Sequence, residues 1–267
     1  MTDCILAIPN AGNVSAGVIG SVMNASAVRK VALQVGRPCS ILTHAFNLSW
    51  CDALNMKPRP KFFAMHHADI SAETGWLDKL IEELERVDCD VLSAVVPIKD
   101  MRGLTSTMIL DVENASYRRI TMRELAPHCE TCSAAIPSDR THCSACDEAG
   151  APCTAIPPLP VSFRAPEVPW APERGILGIN TGLWVCKLDA WAESICFHNT
   201  ERNKRNAETG DMVPIVMPED WNFGIDLHMK GLSVYATRAA KLRHFGTFGF
   251  PSDETFGTET EDTWHQL

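Results

Sequence analysis

Two Cys-x2-Cys pairs within one short segment constrain this chain more than any other feature of its sequence. The first pair is Cys129 and Cys132, and the second is Cys143 and Cys146. Two such pairs on short turns bring four thiolates to the corners of a tetrahedron, which Zn²⁺ prefers in structural sites. We therefore expect a closed structural zinc site rather than free or disulfide-bonded cysteines. Three neighbouring residues are reserve ligands that we expect to be bystanders: His128, His142 and Cys153.

The segment around these pairs, residues 127–172, shows no helical or strand period and holds many of the prolines. We predict a small insertion in which zinc replaces the apolar core that so short a segment cannot build. The alternative is that this zinc knuckle helps to hold a binding partner such as nucleic acid.

The composition bounds the class of protein. With 267 residues, 45% apolar and 21% charged, the chain is typical of one soluble globular domain with a small insertion. The net charge of −9 argues against a general nucleic-acid coat protein, although a local basic groove remains compatible with it. Eleven cysteines form an odd number, and we find neither a signal peptide nor a long apolar run. We therefore expect a cytoplasmic protein with no membrane segment.

Outside the insertion, short apolar runs alternate with helical patterns. The runs that predict buried strands lie at residues 4–9, 31–35, 40–43, 61–66, 90–97 and 234–237. Helical spacing predicts helices at residues 14–29, from a cap at Ser71 to Val87, and at 188–196. The polar stretch 199–211 and the acidic tail are predicted loops. This alternation predicts an α/β fold, with a Rossmann-like, mostly parallel sheet and helices on both of its faces.

A carboxylate follows one of these strands, in the sequence His66-His67-Ala68-Asp69. Ligands of open α/β sheets bind at the carboxyl ends of strands, and a carboxylate there can hold Mg²⁺ or Mn²⁺ against phosphate oxygens. Neither a P-loop nor a GxGxxG motif is present. Taken alone, Asp69 is better explained as a helix-capping residue beside two hydrogen-bonded histidines.

Later motifs change this balance. Glu-Asp-Trp-x-Phe at residues 219–223 precedes the strand at 234–237, and Arg-His-Phe-Gly follows at 243–246. Together with His-Ala-Asp at 67–69 and Asn-Thr-Gly-Leu at 180–183, this series resembles GT-A glycosyltransferases, particularly family 2-like ones. More narrowly, the chain resembles compact phage-type enzymes that glycosylate hydroxymethylated DNA bases.

The resemblance covers residues 3–125 and 175–250 and implies a GT-A fold. It implies a nucleotide-sugar-binding half at residues 1–126, the zinc insertion at 127–172, an acceptor half at 173–250 and a tail at 251–267. The implied activity is metal-dependent, inverting transfer of a sugar from a nucleoside-diphosphate sugar to a hydroxyl group, with UDP as the family default. In a phage-encoded protein the location would be the host cytoplasm.

The resemblance also implies residue roles. Asp69 and His244 would hold Mn²⁺ or Mg²⁺, and His67 stands where the family usually has its first Asp. Asp220 would be the general base, with Glu219 orienting it, although acids are also favoured at a helix N-terminus. Residues placed near the nucleotide or its sugar are Ile8, Pro9, Asn10, Asp100, Thr181 and Gly182. In the same loop as Asp100, Lys99 and Arg102 are the candidates for a phosphate contact, and an ordinary surface loop is an equal alternative for this segment.

The acceptor is less constrained. Basic residues offer phosphate contacts to a DNA acceptor: Arg118, Arg119, Arg123, Arg140, Arg202, Lys204 and Arg205. The net charge opposes this hypothesis, and a saccharide or protein acceptor is the alternative. Because His67 replaces the usual acid, a non-catalytic, zinc-containing binding module is a further alternative. A nucleotidyltransferase would require a basic phosphate loop near the first strand, which the sequence lacks.

Overall fold

A computed structural model describes residues 2–9, 14, 16–36, 39–132, 134–136, 140, 142–206, 209–246, 249–253 and 265–266. Within them the α-helices are α1 (Ala16–Met23), α2 (Leu42–Asn55), α3 (Trp76–Arg86), α4 (Ser144–Ala149) and α5 (Glu219–Met229). The first strands in chain order are β1 (Cys4–Ile8), β2 (Val31–Val35), β3 (Phe62–His66), β4 (Ile70–Ala72), β5 (Val91–Ala94), β6 (Leu104–Asp111), β7 (Ser116–Thr121), β8 (His128–Cys129) and β9 (Ala155–Ile156). The later strands are β10 (Ser162–Phe163), β11 (Ile176–Gly178), β12 (Leu183–Lys187), β13 (Thr200–Arg205), β14 (Met212–Met217), β15 (Val234–Thr237), β16 (Leu242–Phe245), β17 (Gly249–Pro251) and β18 (His265–Gln266).

The central sheet has seven strands in the order β10-β15-β5-β12-β3-β1-β2. Five of them run in one direction, while β12 and β10 run against their neighbours. The predicted mixed α/β fold with a mostly parallel sheet is therefore confirmed. Strand β12 follows the predicted insertion in the chain and lies between β3 and β5, so the segments on the two sides of the insertion build one sheet.

Helices cover both faces of this sheet. Because successive side chains of a strand point to opposite faces, each strand contributes apolar side chains to both of them. On β3, Phe63 and Met65 join the cluster that contains α2 and α5, whereas Phe62 and Ala64 join the cluster that contains α3. Strands β1, β3 and β5 are buried on both sides, as expected for a sheet with helices on each face. The edge strand β2 is partly exposed.

Two smaller sheets flank the carboxyl edge of the central one. The order β11-β6-β7-β18 forms a four-stranded sheet, and β17-β16-β4 forms a three-stranded sheet. In the latter, β16 pairs antiparallel with β4, so that His244 lies opposite Ile70. This pairing brings β16 next to the loop that follows β3.

The strand predicted at residues 40–43 is wrong, because this segment begins helix α2. The side chains that α2 buries follow a helical spacing: Ala45, Phe46, Ser49, Trp50 and Ala53. The pattern extends beyond the short Ile41-Leu42-Thr43 run that suggested a strand, and tertiary burial of the two aromatic rings outweighs local strand propensity.

Three other expectations differ from the structure. Helix α3 begins after Gly75, which has a φ of 75°, and the predicted cap Ser71 instead lies in β4. The stretch predicted as a loop at 199–211 contains β13, which pairs with β14 in a two-stranded ribbon. Its polar residues are all exposed, so no apolar alternation marks it as a strand. The stripe at 188–196 forms a 3-10 turn over Ala190–Ser194.

The predicted insertion contains α4 and the short β8–β9 pair. Its later part rejoins the main body, because Leu159 and Phe163 lie in the principal core and β10 extends the central sheet. Among the described residues, no helix is both long and apolar enough to cross a membrane.

Candidate functional site

The loop that follows β3 is held by two distant parts of the chain. The backbone N–H of His67 donates to the carbonyl of Gly182 at 2.7 Å, and the N–H of Phe245 donates to the carbonyl of Asp69 at 2.8 Å. The backbone thus places Asp69, Gly182 and the β16 residue His244 together at the carboxyl edge of the sheet. In open α/β sheets this edge is where ligands bind.

Asp69 lies in a small cluster of charged and polar groups. Its Oδ2 forms an ion pair with Lys99 and lies 3.5 Å from Nε2 of His244. Nδ1 of His244 contacts the carbonyl of Pro97 at 2.8 Å. Because a carbonyl only accepts, Nδ1 carries a proton, and Nε2 is the ring nitrogen that faces the carboxylate. A protonated Nε2 donates to Asp69, whereas an unprotonated Nε2 is a second acceptor beside it. A cation between them would stabilise this pair of acceptors.

Protonation states at this cluster follow from burial and charge. Burial acts to raise the pKa of Asp69, but contacts from His244 and Lys99 outweigh it and hold that pKa well below its usual range. Burial lowers the pKa of His67 to about 4. At neutral pH the cluster therefore contains an ionised carboxylate and a neutral His67.

Two buried atoms of the cluster lack hydrogen-bond partners among the described residues: Oδ1 of Asp69 and Nε2 of His67. Unpaired buried polar atoms are costly, and a metal ion is one way to satisfy them. The carboxylate oxygen of Asp69 suits Mn²⁺ or Mg²⁺, whereas imidazole nitrogen is more typical of zinc and iron sites, so Asp69 fits the expected ion better than the histidines do. However, the ligand atoms of His67, Asp69 and His244 do not all lie within 4.8 Å of one another. In the described part of the chain, the potential ligands that lie this close together as a group belong to cysteines.

The neighbouring His66 has a different role. Its Nε2 lies 2.8 Å from Oγ of Ser21, and its Nδ1 lies 2.8 Å from the carbonyl of His67. Both ring nitrogens are therefore satisfied inside the core, and His66 supports the loop without reaching a ligand.

Gly182 permits the close approach of this loop to β12. A Cβ at position 182 would lie 2.5 Å from Oδ1 of Asn180 and 2.7 Å from Cδ1 of Ile70. Oδ1 of Asn180 also accepts the N–H of Gly182 at 2.7 Å, and Thr181 between them is buried. Asn180 was not among the predicted site residues, although it opens the motif that contains Thr181 and Gly182.

The predicted base pocket lies at the same edge, at the end of β1. Ile8 and Pro9 are buried, and the carbonyl of Ile8 accepts the N–H of Gly36 at 2.8 Å. Asn10 lies outside the described residues. Ile8 and Pro9 are therefore buried beneath the surface at this end of the sheet.

Asp220 and Glu219 begin helix α5 and are both partly buried. Burial raises the pKa of Asp220 to about 7, the charge of Glu219 adds to this rise, and the charge of Arg119 opposes it. Burial also raises the pKa of Glu219. Asp220 is thus poised to exchange a proton near neutral pH, which is the property of a general acid or base.

Arg119 connects this pair to the loop after β5. It donates to the carbonyl of Thr105 at 3.0 Å, and its charge lowers the pKa values of both Asp220 and Asp100. Burial acts to raise the pKa of Asp100, but hydrogen bonds from Arg102 outweigh it. The Asp100 carboxylate lies 2.7 Å from Arg102 and is therefore engaged with its own loop.

The cysteine cluster contains one sulfur more than predicted. Ligand atoms of Cys129, Cys143, Cys146 and Cys153 all lie within 4.8 Å of one another, so this group of four can hold a metal ion. The predicted ligand Cys132 is also close, with its Sγ 3.2 Å from that of Cys143 and 3.7 Å from that of Cys146. Cys153, expected to be a bystander, is therefore part of the cluster.

Comparisons with known proteins leave the family open. No protein-family model and no curated protein matches the chain. Matching solved structures include one described as A197 from STIV, which is 14% identical, with 98% of this chain and 97% of that chain covered. Its TM-score of 0.48 is too low to carry an argument about fold or function.

Proposed function

We propose that the protein is a metal-dependent glycosyltransferase with a GT-A fold, which moves a sugar from a nucleoside-diphosphate sugar to a hydroxyl acceptor. The observation that carries the proposal is the cluster at the end of β3, where Asp69 and His244 meet and two buried ligand atoms have no described partner. The mostly parallel sheet supports it, because this cluster lies at the carboxyl ends of the strands, where ligands of such sheets bind.

Asp69 and His244, with His67 behind them, are the residues that would hold Mn²⁺ or Mg²⁺. A divalent ion supplies neutralisation of the charge that develops on a leaving diphosphate. Lys99 already lies against Asp69, so its ammonium group can also approach a phosphate oxygen. Ile8, Pro9, Thr181 and Gly182 would form the surrounding wall, which positions the nucleotide and its sugar.

On the acceptor side, Asp220 would remove the hydroxyl proton as that oxygen attacks the anomeric carbon. A pKa of about 7 leaves this carboxylate basic enough to accept a proton and ionised above neutral pH. Glu219 raises the pKa of Asp220 through its charge. Direct attack opposite the leaving group gives an inverted product, and NMR of the anomeric proton tests this, because retention contradicts a simple base.

We propose hydroxymethylated bases of DNA as the first acceptor to test, ahead of saccharide or protein acceptors. The exposed strand β13 supports this choice because it carries Arg202, Lys204 and Arg205, which can contact phosphates. A gel shift with duplex DNA at low salt separates the alternatives, since absence of binding removes the DNA acceptor.

A non-catalytic binding module is the second candidate, favoured by the histidine at position 67. The proposed structural ion in the cysteine cluster is zinc, and it is compatible with both candidates.

The decisive experiment measures nucleoside-diphosphate release from a panel of nucleotide-sugars, with Mn²⁺ and with EDTA. We expect metal-dependent release that Asp69→Ala abolishes. The control is Asp52→Ala, an exposed aspartate on α2, which should release as the parent does. The panel is repeated with duplex DNA that carries hydroxymethylcytosine, since the enzyme can require its acceptor. Absence of release in both series contradicts the enzyme and leaves the binding module.

A further inference from the structure

Five sulfur atoms crowd into a space that suits four ligands. Cys129, Cys143 and Cys146 are buried, whereas Cys132 is exposed and Cys153 is partly exposed. Burial thus divides the cluster into three central thiols and two at its periphery.

The sulfur separations fit one tetrahedral ion. Because a Zn–S bond is about 2.3 Å long, two thiolates on one tetrahedral zinc lie about 3.8 Å apart. The observed Sγ–Sγ separations are 3.6 Å for Cys129 and Cys146, 3.7 Å for Cys132 and Cys146, and 3.8 Å for Cys143 and Cys153. The separation of Cys132 from Cys143 is shorter, at 3.2 Å. Each peripheral thiol therefore lies at ligand distance from one of the central three.

We propose that one Zn²⁺ binds Cys129, Cys143 and Cys146 permanently and exchanges its fourth ligand between Cys132 and Cys153. A structural zinc site accepts four ligands, so one peripheral thiol is always displaced. Both are held ready by the backbone. Cys132 belongs to the turn after β8, and Sγ of Cys153 accepts the N–H of Cys143 at 3.4 Å.

The two ligand sets attach the knuckle to the body differently. Cys153 lies just before β9, from which the chain continues to β10 and the central sheet. With Cys153 bound, the ion connects the knuckle to this exit segment. With Cys132 bound, all four ligands lie within residues 129–146, and the exit segment is released from the metal.

Zinc content of full-length variants tests the exchange. We expect one zinc per chain in the parent, Cys132→Ser and Cys153→Ser, because either peripheral thiol replaces the other. The double variant, which leaves only three thiols of the cluster, should lose affinity by more than the roughly 100-fold typical of outer-shell changes. Tetrahedral thiolate absorption of the Co²⁺-loaded protein provides a second readout of the same ligand count.

Alkylation of the zinc-loaded parent, mapped by mass spectrometry, needs no variant to fold. We expect label on Cys132 and Cys153 in different molecules but not on the central three. Exposed Cys51 and Cys196 are positive controls, and buried Cys186 is the negative control. Loss of zinc in one single variant alone, zinc retained by the double variant, absence of zinc from the parent, or label confined to one peripheral cysteine overturns the exchange.

Discussion

The cysteine knuckle, which can hold a metal ion, and the proposed metal site at Asp69 are built in opposite ways. Among its described residues, the knuckle buries three cysteines and Ile136 as an apolar cluster of its own. The Asp69 site instead lies on a sheet whose two faces each bury a large apolar cluster. In the knuckle the ion would supply the cohesion of the segment, whereas at the sheet edge the fold supplies the geometry for the ion.

This difference predicts how each region responds to loss of metal or of a side chain. A thiolate site with no independent core should collapse when its ion is removed. A site held by backbone hydrogen bonds between β3, β12 and β16 should keep its shape and lose only its chemistry.

The largest expected effect is that of zinc removal. Zinc binding contributes about 10–16 kcal/mol of apparent free energy to the folding of a small zinc domain, and a strong chelator removes this contribution. The small apolar cluster of residues 128–156 is not enough to compensate for this loss. Hydrogen exchange should show loss of amide protection in α4 and β8, while β3 and β12 remain protected. Equal loss of protection in β3 would show that the two regions are not independent.

Asp220→Asn should have the next largest effect, on turnover. Loss of a general base costs about 10²–10⁴-fold in rate. In the parent, kcat should rise with pH to a plateau above about 7, because Asp220 is protonated below that pKa and cannot accept a proton. Asp226→Asn, on the same helix but paired with His198, is the control and should retain the parental profile. The pH range to measure runs from about 5 to 9, roughly two units on either side of that pKa. If the kcat of the parent does not change over this range, Asp220 is not the general base.

Gly182→Ala should destabilise the fold by roughly 1–3 kcal/mol, the usual cost of overpacking. Its Cβ would meet the Asn180 side chain, which holds the turn, and buried Ile70. Thermal unfolding measures the change. The control is Gly20→Ala in α1, because a Cβ there meets no atom within 4 Å apart from its chain neighbours and the backbone of its own helix. This variant should raise stability by about 0.5–1 kcal/mol. Equal melting temperatures for the two variants contradict the close packing.

The smallest effect concerns Lys99, which competes with a divalent ion for Asp69. An ion pair at this degree of exposure is worth about 0.2–1 kcal/mol, so Lys99→Met should strengthen Mn²⁺ binding by up to roughly fivefold. Electron paramagnetic resonance of free Mn²⁺ measures the affinity. The matched control is Lys241→Met, which removes the lysine from an exposed ion pair with Asp253. This variant should leave the Mn²⁺ affinity unchanged. Weaker binding in Lys99→Met would place the lysine among the groups that support the ion.

The fold was largely predictable where residues are buried on both sides. Strands β1 and β3 lie within one residue of their predicted bounds, because their side chains are buried on both faces of the sheet. The ribbon β13–β14 was not predictable, since its polar strand buries nothing. Helix α2 was missed because its packing depends on Phe46 and Trp50, which contact partners distant in the chain.

For the sites, local spacing revealed the knuckle but left Cys153 as a reserve ligand, because Cys153 joins the cluster only when the chain folds back through β9. The association of Asp69 with His244 came from the resemblance alone, because 174 positions separate the residues whose contact the structure describes at 3.5 Å. The unpaired Nε2 of His67 depends on burial, which no spacing encodes.

The place of β12 in the sheet also orders events on the ribosome. Strands β1, β2 and β3 can pair as soon as they emerge, but β5 has neither of its neighbours until β12 and β15 are made. The cysteine segment emerges before β12. The knuckle can therefore capture its ion while the sheet is still in two parts, and the nascent chain carries an unpaired β5 through that interval.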